Sequence, residues 1–334
     1  MEFKMMIRSF SLGVFCCVAV SSCDKAKDIA TKASKVVAEQ IESSPAKSAA
    51  PGGPADADLQ ALVDETPEGF RFRNDLPFPT QVTVNAVSRS KMKTRSFSSS
   101  ALGTEARTFD GEVESEVDVT LMGSRATVVA KDTNILVPSA EGEKKEPKKE
   151  VAVKGGSITM DRKKDGWVPV SDGKALDFSL AGRFAGPGFE QFLTDYGLLA
   201  RPFWFGKKRL KIGDEVTLEG DHLEMLGFKK SSGTIRLKFE RTEAVHGHPC
   251  GVFSISGSAA NHLSEFLGAS GGEEDMTIES GMIWLSLLYP IGLKEDLNAV
   301  VSIRAGKGKE NLRRSDGKSN IIGERKWKNS AGAR

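Results

Sequence analysis

Polar and apolar residues alternate along the chain from about residue 80 onwards, and this alternation predicts β-strands. Basic residues occupy every second position from Arg89 to Arg95, and acidic residues occupy every second position from Glu112 to Asp118. Because successive side chains of a strand point to opposite faces, each charged set lies on one face of its strand. Pairing residues whose numbers sum to 207 places every base opposite an acid, as in an antiparallel hairpin.

This register predicts two strands, over residues 81–102 and 105–122, joined by a type II′ turn at Gly103 and Thr104. The opposite face of the hairpin is apolar and comprises Val84, Ala86, Met92, Val113, Val117, Val119 and Leu121. Cross-strand pairs contribute only about 0.2–1 kcal/mol each, so we expect the charges to select the register more than to stabilise the fold.

The remainder of the chain also favours strands. They are predicted at residues 125–137, 156–162, 166–170, 176–180, 215–219, 233–241, 250–259, 276–287 and 297–304. One helix is predicted among them, beginning near Pro187 and ending at Gly197. The predicted fold class is therefore mainly β: an antiparallel curved sheet or half-barrel with one or two short helices.

The N-terminal segment has the pattern of an export signal. Lys4 and Arg8 precede an uncharged run over residues 9–22, which is shorter than the roughly 20 apolar residues of a membrane-spanning helix. The run ends in Val20-Ser-Ser-Cys23, which resembles the lipobox of bacterial lipoproteins. The resemblance implies that residues 1–22 are removed and that Cys23 is acylated. Asp24 resembles the inner-membrane retention signal of enterobacterial lipoproteins.

The chain divides into an anchor, a body and a tail. After Cys23, small apolar residues spaced three and four apart predict a helical stalk over residues 25–42, and Pro, Gly, Ala and Ser predict a flexible linker over residues 43–57. Residues 58–305 form the predicted β-rich soluble domain, which contains a charged loop at residues 139–150.

The C-terminal tail is predicted to be basic and disordered. The tail domain is residues 306–334, and residues 304–334 carry ten Lys or Arg against three acids, although the whole chain has a net charge of only +2. A solvated tail is the favoured interpretation, and binding to anionic lipid headgroups or cell-wall polymers is the alternative. Export makes nucleic acid an implausible partner.

The segment from His246 to Cys250 is the candidate metal site. Imidazole and thiolate are ligands for zinc or copper, and an extended strand would place His246, His248 and Cys250 on one face, with His222 as a possible fourth ligand. Gly247 and Pro249 favour the alternative, a turn that leads into a strand with a buried Cys250. The mature chain keeps only Cys23 and Cys250, and lipidation of Cys23 would exclude an internal disulfide.

Other motifs do not point to catalysis. The chain contains no Gly-x-Ser-x-Gly sequence, and Gly182, Gly186 and Gly188 lack the strand-to-helix context of a dinucleotide site. The acidic residues at 271–275 lack the spacing of a calcium loop and are predicted to form a solvated turn. No catalytic residue and no cofactor is therefore predicted.

Aromatic residues over 202–205 are predicted to plug the core beneath the 187–197 helix; lining a ligand cavity or contacting lipid is the alternative. Together with residues 212–216 and 281–284, they resemble exported β-rich lipoproteins of the LolA carrier type. That resemblance implies a half-barrel or curved sheet around a helix.

The expected function is that of a non-enzymatic envelope lipoprotein. Acylated Cys23 would hold it on a bilayer facing the periplasm, with the inner membrane favoured by Asp24, and the body would bind an apolar ligand or a partner protein. The alternatives are a metal-binding lipoprotein using His246, His248 and Cys250, and an enzyme whose site is not recognisable.

Overall fold

A computed structural model of the chain describes residues 59–76, 81–100, 103–137, 148–163, 166–171, 174–175, 204–226, 231–266, 269–305 and 313–329. These residues form mainly antiparallel β-structure, with 3-10 helices at Leu59–Leu62 and Gly220–Leu226. The strands are β1 (Asp64–Thr66), β2 (Gly69–Arg71), β3 (Gln81–Ser100), β4 (Gly103–Met122), β5 (Arg125–Ala130), β6 (Thr133–Val137), β7 (Lys148–Val153), β8 (Gly156–Lys163), β9 (Gly166–Ser171), β10 (Lys174–Ala175), β11 (Arg209–Leu210), β12 (Glu215–Glu219), β13 (Ser232–Val245), β14 (His248–Phe266), β15 (Ala269–Ser286), β16 (Gly292–Ala305) and β17 (Arg313–Asn329).

Fourteen strands form one open antiparallel sheet, which confirms the predicted fold class. The strand order is β10-β9-β8-β5-β4-β3-β17-β16-β15-β14-β13-β12, and β6 joins it through β4 and carries β7. A separate three-stranded sheet has the order β1-β2-β11. None of the helices within the described ranges has the length and hydrophobicity that crossing a bilayer would require.

The β3–β4 hairpin is confirmed, but the predicted register is wrong. Partner numbers sum to 203 and not 207, so Arg89 lies opposite Glu114, and the strands end at Ser100 and Gly103 instead of enclosing a turn at Gly103-Thr104. Arg89 donates to Glu114 at 2.6 Å and also pairs with Glu112 at 2.7 Å. A shift of four residues keeps every side chain on its predicted face.

Packing of the apolar face explains the observed register. Val82 lies opposite Leu121, and Val84 lies opposite Val119, so buried residues meet buried residues. The register that sums to 207 would set Ser88 opposite Val119. The observed register places three of the four bases opposite acids, with Arg95 opposite Thr108, and it also pairs the buried residues of the core.

The predicted disordered tail is wrong for residues 313–329, which form β17 in the interior of the sheet. This strand pairs with β16 on one side and with β3 on the other. Among the side chains that the structure describes, the buried ones on β17 are Ser315, Ser319 and Ile321, and this set gives little hydrophobic signal. The close approach requires small residues, because a Cβ on Gly317 would lie 2.5 Å from the Lys93 carbonyl oxygen.

Three smaller predictions are also corrected. Residues 148–150, assigned to the charged loop, belong to β7, and residues 271–275, predicted to form a solvated turn, belong to β15. Glu274 is buried there. The predicted strand at 125–137 is divided into β5 and β6.

Aromatic residues pack the small sheet onto the large one. Phe72 lies 5.2 Å from Phe253 and 5.6 Å from Phe239 between ring centroids, and Phe205 stacks on Phe253 at 5.5 Å. Trp204 is fully buried in the same cluster, which confirms the predicted core role of residues 204 and 205.

Several predictions fall outside the described residues. These are the signal peptide, Cys23, Asp24, the stalk, the linker, most of the 139–150 loop, the strand at 176–180, the glycines at 182–188 and the helix at 187–197.

Candidate binding groove beside strand β13

The segment that carries the candidate metal ligands is a tight hairpin. Val245 pairs with His248, and the two turn residues, His246 and Gly247, have φ values of 50° and 83°, as in a type I′ turn. Because His246 lies in the turn, it does not share a strand face with His248 and Cys250. The metal-site alternative is therefore wrong, and the favoured interpretation, a turn leading into a strand with a buried Cys250, is confirmed. The His246 Nε2 atom instead contacts Glu324 on β17.

His248 is held inside the protein by Ser286. The Ser286 hydroxyl accepts hydrogen bonds from the backbone N–H groups of Leu288 and Tyr289, both at 3.0 Å, and lies 2.7 Å from His248 Nε2. Since both acceptor sites of the hydroxyl are used, it donates a hydrogen bond to Nε2, and His248 is the neutral tautomer that carries its proton on Nδ1. Burial lowers the pKa of His248 from 6.5 to about 4, consistent with a neutral ring.

Cys250 is equally unsuited to ligation. It is fully buried, its Sγ lies 3.4 Å from the His248 carbonyl oxygen, and burial raises the pKa of its thiol. A protonated thiol is a poor metal ligand. Within the part of the chain that the structure describes, no group of three His, Cys, Asp or Glu side chains is placed to hold a metal ion; His222 lies on the Gly220–Leu226 helix.

The same hairpin forms one wall of an open cavity of about 250 Å³. Its walls are residues 242–244 of β13 and a set of residues from the first helix, the small sheet, β14 and the loop after β15. That set is Gln60, Glu65, Phe70, Pro249, Cys250 and Leu287. We call this cavity the β13 groove.

The walls of the β13 groove are fixed by buried and half-buried contacts. Arg209 donates to the carbonyl oxygens of Asp64 and Gly69 at 3.1 Å, which holds the β1–β2 hairpin. The Arg73 N–H donates to the Leu287 carbonyl at 3.1 Å, which ties the chain after β2 to the loop after β15. These bonds hold the segments that form the walls in place, so the groove does not depend on an occupant for its shape.

One side of β13 is open along the groove. β12 covers β13 only from Thr234 to Lys238, and the Asp214 carbonyl accepts from the Phe239 N–H. Beyond that point, no described strand pairs with this side of β13. The edge over residues 241–245 therefore faces the groove.

Pro249 identifies which backbone groups point outwards. It lies opposite Ala244 and has no N–H, and the adjacent Val245–His248 pair closes a two-residue turn. In an antiparallel ladder, hydrogen-bonded and non-hydrogen-bonded pairs alternate, so Ala244–Pro249 and Thr242–Gly251 are non-hydrogen-bonded pairs. The N–H and C=O groups of Thr242 and Ala244 therefore point away from β14, towards the open edge.

The sequence contained a partial signal for this region. Ser286 before Tyr289-Pro290 is typical of a hydroxyl that caps a turn. The groove itself had no sequence signal, because it is assembled from segments more than 150 residues apart.

Comparisons with known proteins give no family. No family model matches the chain, and no curated protein matches it. Among solved structures, Neisserial surface protein A (NspA) aligns with 73% of this chain and 96% of its own, at 9% identity and a TM-score of 0.16. A botulinum neurotoxin serotype D/C binding domain aligns with 73% of this chain and 78% of its own, at 9% identity and a TM-score of 0.13. TM-scores this low support no conclusion about function.

Proposed function

We propose that the protein is a lipid-anchored cell-envelope protein whose β-rich body binds a partner protein without catalysing a reaction. The observation that carries the proposal is the β13 groove, where an open strand edge adjoins a shaped cavity. Strand edges that face solvent are normally covered or blunted, because they pair readily with other chains. An edge left open beside a preformed cavity suits a binding surface.

The contents of the core favour a protein partner over an apolar small molecule. The rings of Phe239 and Phe253 stack, and Phe72 packs against both of them between the two sheets. Pockets for small apolar ligands typically enclose about 300–1,000 Å³. The β13 groove is smaller than that, and the Glu65 carboxylate lines it.

The burial of Ser286 and His248, which resemble a nucleophile and its base, argues against catalysis by this pair. Ser286 and His248 lie within hydrogen-bonding distance, as they would in a hydrolase, but both are inside the protein. Instead, the Ser286 hydroxyl accepts hydrogen bonds from two backbone N–H groups, and these bonds fix the loop after β15. A structural role accounts for every bond that Ser286 makes.

The lipid anchor is tested by metabolic labelling with a palmitate analogue in a bacterium that processes lipoproteins. The full chain should be labelled and sediment with membranes. Cys23→Ala should lose the label and become soluble, whereas Cys250→Ala, the matched cysteine control, should keep it. Labelling of Cys23→Ala would contradict the assigned anchor.

Partner binding is tested with a photo-crosslinking amino acid at Glu65 in the groove and, as a control, at Glu219 on β12, in cells that make the protein. Discrete protein adducts at position 65 and none at position 219 are expected. Stoichiometric lipid or metal in the purified chain, without protein adducts, would overturn the proposal in favour of an apolar-ligand or metal-binding role.

A further inference from the structure

We infer that the β13 groove binds an extended polypeptide segment that adds as a strand to β13 over residues 241–245 and carries basic residues. This inference rests on the proposed function and specifies its site and the kind of partner. It depends on three features of the groove: its free backbone groups, its charge and its apolar wall.

The free backbone groups define the occupant as a polypeptide. Thr242 and Ala244 each offer an N–H and a C=O towards the groove, and they are two residues apart on one strand. Groups on the same side of a strand repeat at about 6.8 Å, and this spacing matches the groups of a second extended backbone. Strand addition to a sheet edge uses this complementarity for affinity and side-chain pockets for specificity.

The charge of the groove favours a basic segment. Glu65 is exposed at the rim, and Gln60 adds an amide. The nearby Arg241 is paired with Glu243 at 2.8 Å, so it does not compensate Glu65. A lysine or arginine of the occupant near Glu65 would supply the missing positive charge.

The apolar wall favours aliphatic residues at alternate positions. Phe70 is half-buried, and Leu287 and Pro249 are buried behind it. Because side chains of an added strand alternate between faces, one face would contact these residues and the other would lie towards the exposed rim, where Glu65 is. The matching segment therefore alternates aliphatic and basic residues.

The experiment measures amide hydrogen exchange in the full chain with single-residue resolution. The probe is the capped hexapeptide Thr-Lys-Val-Lys-Val-Thr at millimolar concentration. One control peptide replaces both lysines with glutamate, and a second carries N-methyl groups on the valines, which removes backbone donors and keeps the side chains. The protein variants are Glu65→Gln in the groove and Glu219→Gln on β12.

We expect exchange at Thr242 and Ala244 to be fast in the free chain and to slow at least about fivefold with the lysine peptide. The N-methylated peptide should have no effect, and the glutamate peptide should bind more weakly. Glu65→Gln should weaken binding of the lysine peptide by about two- to fivefold, as expected for an exposed ion pair, and Glu219→Gln should not.

Three outcomes would overturn the inference: protection of Thr242 and Ala244 before any peptide is added, equal binding of the N-methylated peptide, or no protection by either charged peptide. Protein adducts at position 65 together with unprotected edge amides would retain the proposed function and reject strand addition. If neither protein adducts at position 65 nor protection of the edge amides is observed, the proposed function is rejected as well.

Discussion

His248 shows how burial turns a candidate ligand into a structural residue. Its ring accepts a hydrogen bond from the Ser286 hydroxyl, and its pKa falls to about 4 because solvation of the charged form is lost. The unfolded chain binds a proton on His248 near the ordinary value of 6.5, so acid favours the unfolded state between these two values. Stability from this residue is present above that window and is lost as the pH falls through it.

We predict that the free energy of unfolding decreases by about 2 kcal/mol from His248 alone between pH 7 and pH 5. Urea unfolding at both pH values checks this. His248→Gln should be less stable at pH 7 but should lose that part of the pH dependence, whereas His222→Gln should retain it. An unchanged pH dependence in His248→Gln would show that His248 is not the group responsible.

Gly251 is required by close packing. A Cβ at this position would lie 2.3 Å from Phe72 Cζ, a ring that also contacts Phe239 and Phe253. We expect Gly251→Ala to destabilise the chain by about 1–3 kcal/mol, because the ring must move in a filled core. Gly292→Ala is the control, since its nearest neighbour is Leu285 Cδ2 at an ordinary 3.6 Å. Equal stability of the two variants in denaturant unfolding would contradict this packing argument.

At the scale of the element, charge and packing specify different features of the β3–β4 hairpin: the charge pattern specifies its faces, and packing specifies its register. The outward charges of β3 and β4 satisfy more than one register, since the acids recur at every second position. The contacts of Val82 with Leu121 and of Val84 with Val119 select one. The charge pattern therefore predicted the hairpin and its faces, but not the partner of each residue.

A double-mutant cycle distinguishes the two registers. Alanine substitutions at Arg89 and Glu114 should show a coupling energy of about 0.3–1 kcal/mol, because the pair is exposed but lies at 2.6 Å. The same cycle for Arg89 and Asp118, which the charge-derived register would pair, should show no coupling. The reverse result in denaturant unfolding would favour the register that sums to 207.

At the scale of the whole molecule, β17 joins the two halves of the large sheet. It lies between β3, which begins the N-terminal half, and β16, which begins the C-terminal half. At one end of β17, Arg313 pairs with Ala305 of β16, and at the other end Asn329 pairs with Val82 of β3. A strand in this position pairs with both halves of the large sheet.

We expect a chain that ends at residue 312 to fail to fold, because both β3 and β16 lose a neighbour along most of their length. A chain that ends at residue 329 keeps β17 and should unfold at nearly the same denaturant concentration as the full-length chain. Circular dichroism and urea unfolding check both chains. If the chain ending at residue 312 folds with unchanged stability, the role of β17 is contradicted, because that result is expected for a disordered tail.

The sequence by itself determined the strand periodicity, the mainly antiparallel class and the faces of the β3–β4 hairpin, because these depend on neighbours along the chain. It also carried the export pattern ending at Cys23 as a prediction. Tertiary structure alone decided the hairpin register, the interior position of β17, the buried His248–Ser286 pair and the open β13 edge. Each of these depends on contacts between segments distant in sequence, where packing selects among arrangements that local patterns leave equivalent.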